Sequence, residues 1–487
     1  MNQKQPSPAK PTETKDSSIK MESIFAQDTR SESSQFVQQS KISFSGGGPI
    51  DSTTFIIIIS LIHGLFDISS LSSFFYQKNI LQLEPQTIQM LAGVIGFPWC
   101  IKPIFGYMSD SLIKRLKKTK YLIMISSFIR IILFSILTHM KPGFYMFYAI
   151  CFINGLCSLF ENIISEYTLV VNTKRINDDT KTKGNNQLPI YFGFRAFGGL
   201  IGNFLGGRIM KYHSMQMTFF ICSLLPFATL TFAFLYNERA VTINEEDERS
   251  FADEFEIMKQ LLFRDKVLML IAFICLINMT PNFDMLVTFY LTDYLNFSTE
   301  DLANFSSFAT VCYILGLLLY SYYFQSIKPK KFYIATNFIL WIFNMSFLLV
   351  VLKVLDKIGI NTKLFCLLSQ GATSFIAELN FMPILAIWCS ICPENLEATS
   401  ITLFTGLLNF SGNLSNYLGG ILIWSLNIHK TNYDKLWQPI VIQNSYLLVM
   451  MVCIAFVEFP DPSQESEENK AFIEDRKDKD GAVKMID

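Results

Sequence analysis

Charged side chains inside otherwise apolar runs are the residues of this sequence best placed to do chemistry. The run Gly96-Phe-Pro-Trp-Cys-Ile-Lys-Pro-Ile-Phe-Gly-Tyr-Met-Ser-Asp110 surrounds Lys102 with hydrocarbon and ends in a glycine, an aspartate and a basic cluster. A charge in hydrocarbon costs roughly 3 kcal/mol on insertion scales, so Lys102 is expected to face a polar cavity or a partner. Arg130 and Arg195 are further cations in such runs, and Asp67, Glu161, Glu166, Asp284 and Glu378 are the acids. A guanidinium can take a carboxylate in bidentate fashion. A carboxylate in a low-dielectric cavity can take up and release a proton as the cavity opens to either side. Arg195 has two readings, a ligand-binding cation or the partner of an acid such as Glu166; Arg130 is read as facing lipid headgroups or a neighbouring carboxylate.

His63-Gly-Leu-Phe-Asp67 places a histidine and an aspartate one turn apart, which could be a proton relay or an acyltransferase-like pair. The sequence has no soluble stretch long enough for a catalytic domain, so Asp67 is read as a cavity acid with His63 as its hydrogen-bonding neighbour, and no enzyme activity is expected. Cys389-Ser-Ile-Cys392 lacks the second Cys or His pair of a metal site. No metal, cofactor or disulfide framework is expected, because the ten cysteines fall in apolar segments or at their edges.

The elements that carry these groups are membrane spans. Half the residues are hydrophobic (51%) and Phe alone occurs 46 times, a composition that marks a membrane protein. Runs long enough to cross about 30 Å of hydrocarbon recur near 53–76, 87–109, 120–139, 143–170, 189–210 and 215–236. Six more lie near 267–291, 301–324, 332–355, 364–389, 397–426 and 436–459. The expected fold is all-α, with twelve transmembrane helices in two pseudo-symmetric halves, 51–237 and 267–460, joined by a cytoplasmic loop at 238–266. Prolines 98, 103, 226, 281 and 383 interrupt the spans and provide bends.

Lys114, Arg115, Lys117, Lys118, Lys174, Arg175, Lys181, Lys183, Lys328, Lys330 and Lys331 fall in loops of one side, whereas the other side has mostly single lysines such as Lys78, Lys141 and Lys430. The positive-inside rule then puts both termini in the cytoplasm. Residues 1–50 and 461–487 read as disordered cytoplasmic tails. The net charge of -1 gives no reason to expect a nucleic-acid partner. The sequence leaves open whether the membrane is the cell surface or an organelle, and a monomer is expected.

The run Gly199-Leu-Ile-Gly-Asn-Phe-Leu-Gly-Gly207 in the fifth span returns as Gly412-Asn-Leu-Ser-Asn-Tyr-Leu-Gly-Gly420 in the eleventh, the equivalent position of a six-plus-six duplication. Such repeats place a substrate site near mid-membrane between halves that rock. Gly198, Gly202 and Gly206 have the spacing of a close helix-packing face. Asn154, Ser158, Glu161 and Ser165 in span four, and Thr402, Thr405, Asn409 and Asn416 in span eleven, form polar stripes that either line water or make interhelical seams.

Gly106-Tyr-Met-Ser-Asp110-Ser-Leu-Ile-Lys114-Arg115 resembles the loop signature between the second and third helices of the major facilitator superfamily. Pro98-Trp99-Cys-Ile-Lys102-Pro103-Ile-Phe-Gly106-Tyr-Met-Ser109-Asp110 is similar to the block that characterises the folate-biopterin transporter family. Pro281-Asn-Phe-Asp284 to Tyr290 with Leu295-Asn-Phe-Ser298, and Cys392-Pro-Glu-Asn-Leu-Glu397-Ala-Thr399 with Asn409, resemble two more of its blocks. The resemblance implies proton-coupled uptake of a folate or pterin, with Gly106, Asp110, Lys114 and Arg115 as a cytoplasmic gate. Asp67, Lys102, Glu166, Arg195, Asp284 and Glu378 are the expected substrate-binding or ion-coupling residues, with Glu166 and Asp284 first for coupling. The sequence departs from the family at Asn162, where a second acid of the fourth helix is usual, and at Asn395, where Gly is. Another small metabolite in the same fold, such as an amino acid derivative or S-adenosylmethionine, and a non-transporting membrane sensor remain the alternatives.

Overall fold

The computed structural model describes residues 50–105, 120–180, 188–236, 256, 259, 260, 262–324, 327–391 and 397–459. Most of the expected loop 238–266, all of 461–487 and residues 1–49 lie outside them. Among the described residues the chain forms twelve membrane-scale helices in the predicted places. The first six are α1 (Ser52–Ile80), α2 (Pro85–Phe105), α3 (Lys120–His139), α4 (Phe144–Thr180), α5 (Leu188–Tyr212) and α6 (Met215–Leu235). The second six are α7 (Asp265–Asn278 resuming as Asp284–Phe289), α8 (Thr299–Phe324), α9 (Pro329–Val351), α10 (Thr362–Ile391), α11 (Glu397–Ser425) and α12 (Trp437–Cys453). Seven of them are by length and composition apolar enough to cross a membrane. Helix starts follow local chemistry: Pro85 and Pro329 open α2 and α9, and Ser298 with Asp301 forms a reciprocal capping box on α8.

The two halves share their main helix pairings. In each, the first helix packs on the fifth, the second on the fourth and the third on the sixth. α1 and α7 both end in a widened turn, with the Leu81 amide on the Tyr76 carbonyl at 3.0 Å and the Leu295 amide on the Tyr290 carbonyl at 3.1 Å. Both then turn through a residue with left-handed backbone, Gln82 (φ 54°) and Asn296 (φ 53°). The paired glycines of the repeated motif have matching neighbours. A Cβ on Gly206 would meet the Ile68 carbonyl of α1 and one on Gly419 the Asn282 carbonyl beside α7. Gly207 likewise abuts the first turn of α8 (Thr299, Ala303), and Gly420 the first turn of α2 (Gln86, Met90).

The halves meet along α2 with α11 and α5 with α8. On the α2–α11 seam, Gly93 lies under Tyr417, Gly96 under Asn413, and Gly406 against Pro103. Gln89 donates to Asn416 Oδ1 at 2.7 Å, Asn413 to Cys100 Sγ at 2.8 Å and Asn409 to the Trp99 carbonyl at 3.4 Å. Asn409 and Asn416 of the α11 polar stripe therefore belong to an interhelical seam.

Candidate functional site

The first helix of each half carries one interruption. α1 breaks at Phe66–Asp67, and α7 is non-helical from Met279 to Phe283, where Pro281 cannot continue the helix. Asp67 and Asp284 sit at the restarts. Both are solvent-accessible at these interruptions. The Asp284 amide is held by Asn282 Oδ1 at 2.8 Å.

Glycines bring Arg195 to the same place. α1 and α5 touch backbone to backbone: a Cβ on Gly64 would lie 2.0 Å from the Arg195 carbonyl, and one on Gly198 2.3 Å from that of Leu61. Asp67 Oδ2 lies where a Cβ on Gly199 would come within 2.9 Å. Arg195 is half-buried and in coulombic range of Tyr191, His63, Asp67 and Tyr313 of α8. It makes no ion pair with any carboxylate among the described residues. Glu378 of α10 is buried beside Tyr313, its Cβ facing Gly316 of α8, and its Oε1 has no hydrogen-bond partner.

The other intramembrane charges neutralise one another. Lys102, at 5% exposure, pairs with Glu166 at 2.9 Å, so Glu166 is not the partner of Arg195. Arg130, at 1% exposure, binds Glu161, which also accepts from Ser127 at 3.1 Å and faces His63 Nε2 at 3.4 Å. Arg130 Nε donates to Asn154 at 3.0 Å, and its guanidinium lies 3.6 Å from the Phe66 ring centre. Arg130 thus takes the neighbouring carboxylate and not lipid headgroups. His63 faces Glu161 and makes no ion pair with Asp67, which follows the break after Leu65. Asn154 and Glu161 of the α4 stripe likewise form a seam, toward α3.

A set of groups that the sequence reading did not single out as a site joins the halves at the face opposite the described ends of the chain. Lys78 of α1 bonds Asp293 and Thr292 of α7 and lies 4.8 Å over the Phe289 ring. Lys211 and Arg208 of α5 meet Glu300 of α8, and Lys430 reaches Glu84 of α2 at 3.6 Å. Phe74 against Phe289, 5.5 Å between ring centres, packs beside this latch. The only sequence signal for it was a sparse scatter of opposite charges at helix ends. Gly106, Asp110, Lys114 and Arg115, the expected gate of the other face, lie outside the described residues.

A family model, the BT1 family, matches residues 63–477. The chain belongs to the BT1 family. Among the relatives of this BT1-family chain, "Folate transporter 1" of Plasmodium falciparum is 26% identical over 79% of the chain and 75% of the relative. "Folate-biopterin transporter" of Synechocystis sp. is 22% identical over 87% and 85%. Of solved structures, the nucleoside transporter NupG superposes with a TM-score of 0.63 at 12% identity, covering 83% of this chain and 98% of that one. A D-xylose-proton symporter gives 0.62 at 11% identity, covering 85% and 98%. The BT1 chain is thus an integral membrane protein with the major facilitator fold and a member of a transporter family.

Proposed function

We propose that the protein is a secondary active transporter that carries folate, biopterin or a related pterin-bearing organic anion by alternating access, coupled to protons. The observation that carries the reading is Arg195, a half-buried cation at the meeting of the halves with no ion-pair partner among the described residues. A cation kept there at a cost of several kcal/mol is best explained by an anionic ligand that completes it. The names of the relatives support a folate or biopterin as that ligand. Asp67 and Asp284, which are solvent-accessible at the helix interruptions and make no ion pair among the described residues, are the groups proposed to take up the proton. Lys102 and Glu166 support the site as a fixed pair. Both termini are cytoplasmic in this reading, which makes the latched face the outer one.

The test is uptake of labelled folate and labelled biopterin into proteoliposomes, with and without an imposed inward proton gradient. Accumulation of either that rises with the gradient is expected. No uptake of either by folded protein would overturn the substrate, and uptake indifferent to the gradient would overturn the coupling.

A further inference from the structure

Two incompletely paired groups, one from each half, sit on helices that both pack against α8. Arg195, on α5, lacks an anion; Glu378, on α10 and 4% exposed, has a buried Oε1 without a partner and no cation within ion-pair distance among the described residues. Tyr313 of α8, 40% exposed, is in electrostatic range of both the Glu378 carboxylate and the Arg195 charge. Asp67, His63 and Tyr191 are the other titratable groups in range of the guanidinium.

We propose that Arg195 and Glu378 are the two ends of one ligand site, the guanidinium taking a carboxylate and Glu378 taking the donor edge of an aminopyrimidinone ring. The inference rests on the pterin-carrier reading and deepens it. A carboxylate accepts two parallel N–H donors, and the 2-amino group and adjacent ring N–H of a pterin present that pair. A guanidinium fork matches a carboxylate in the same way. A folate, with a neutral donor edge at one end and carboxylates at the other, therefore fits in one orientation only. Because one end belongs to each half, occupancy ties the halves together, which is what a carrier needs from its cargo.

The experiment is equilibrium binding to the purified full-length protein of three probes: folate, biopterin, which lacks a carboxylate, and p-aminobenzoylglutamate, which lacks the pterin. Glu378→Gln is expected to weaken folate and biopterin about tenfold or more and to leave p-aminobenzoylglutamate within about twofold, since a charge-assisted pair is lost at one end only. Arg195→Gln is expected to do the reverse for the two fragments. On the unmodified protein, biopterin and p-aminobenzoylglutamate should each displace folate without displacing each other, a result that needs no folded variant. Mutual displacement of the fragments, equal loss of all three probes in both variants, or a Glu378→Gln protein that binds all three normally would overturn the two-ended site while leaving the pterin reading intact. An unmodified protein that binds none of the three would overturn the pterin reading itself.

Discussion

Buried charge in this molecule divides into pairs that hold helices and single groups left for something else. Lys102 with Glu166 belongs to the first kind, so Lys102→Ala should lose uptake by stranding a carboxylate, and the double change Lys102→Met with Glu166→Gln should recover at least part of it. An uptake assay on the three proteins decides, and a double variant as dead as the single would return Lys102 to the transport step. Arg130→Met should destabilise the protein by about 3–5 kcal/mol, because it leaves fully buried Glu161 without its cation. Arg195→Met should cost less than about 1 kcal/mol, since no ion pair is broken, while binding of a carboxylate-bearing ligand such as folate is weakened. Thermal unfolding of both variants checks the contrast. The sequence made these residues conspicuous because charge in an apolar run is costly, but it could not assign partners. Glu161 and Glu166 are a turn or so apart on one helix, and only the packing of α1, α2 and α3 around α4 sends them to different cations.

At the scale of the helix, close approach of α1 to α5 sets the distance between Asp67 and Arg195. Gly64→Ala would drive a methyl into the Arg195 carbonyl, which is backbone and cannot yield, so a loss of about 3 kcal/mol and of ligand binding is expected. Gly193→Ala, on the same α5 but with nothing within 4 Å of its added Cβ, should stay within about 0.5 kcal/mol. Thermal stability of the pair reads the difference. The spans themselves were legible to within a few residues, since hydrophobic length is a strong signal, and Pro281 marks the break of α7. The break of α1 has no such mark: His63-Gly-Leu-Phe-Asp67 contains no proline, and an unbroken helix predicts the wrong neighbour for His63.

For the whole molecule, ion pairs that join Lys78 to Asp293, Lys211 and Arg208 to Glu300, and Lys430 to Glu84 tie the halves together at one face. A carrier must release that face once per cycle. Joining Lys78→Cys to Asp293→Cys with a short bifunctional thiol reagent should stop transport, and neither single variant treated alike should stop; continued turnover of the joined protein would mean that this face does not open. These charges looked like ordinary loop residues in the sequence, because a pair across two halves exists only once the duplication has folded. The central claim, that the protein is a carrier with one ligand site alternately exposed, is tested most directly by counterflow. Proteoliposomes loaded with unlabelled folate and diluted into labelled folate should accumulate label transiently above the outside level and then lose it, in the absence of any ion gradient. Label that merely equilibrates, or never enters, with protein shown to be folded and to bind folate, would contradict the account.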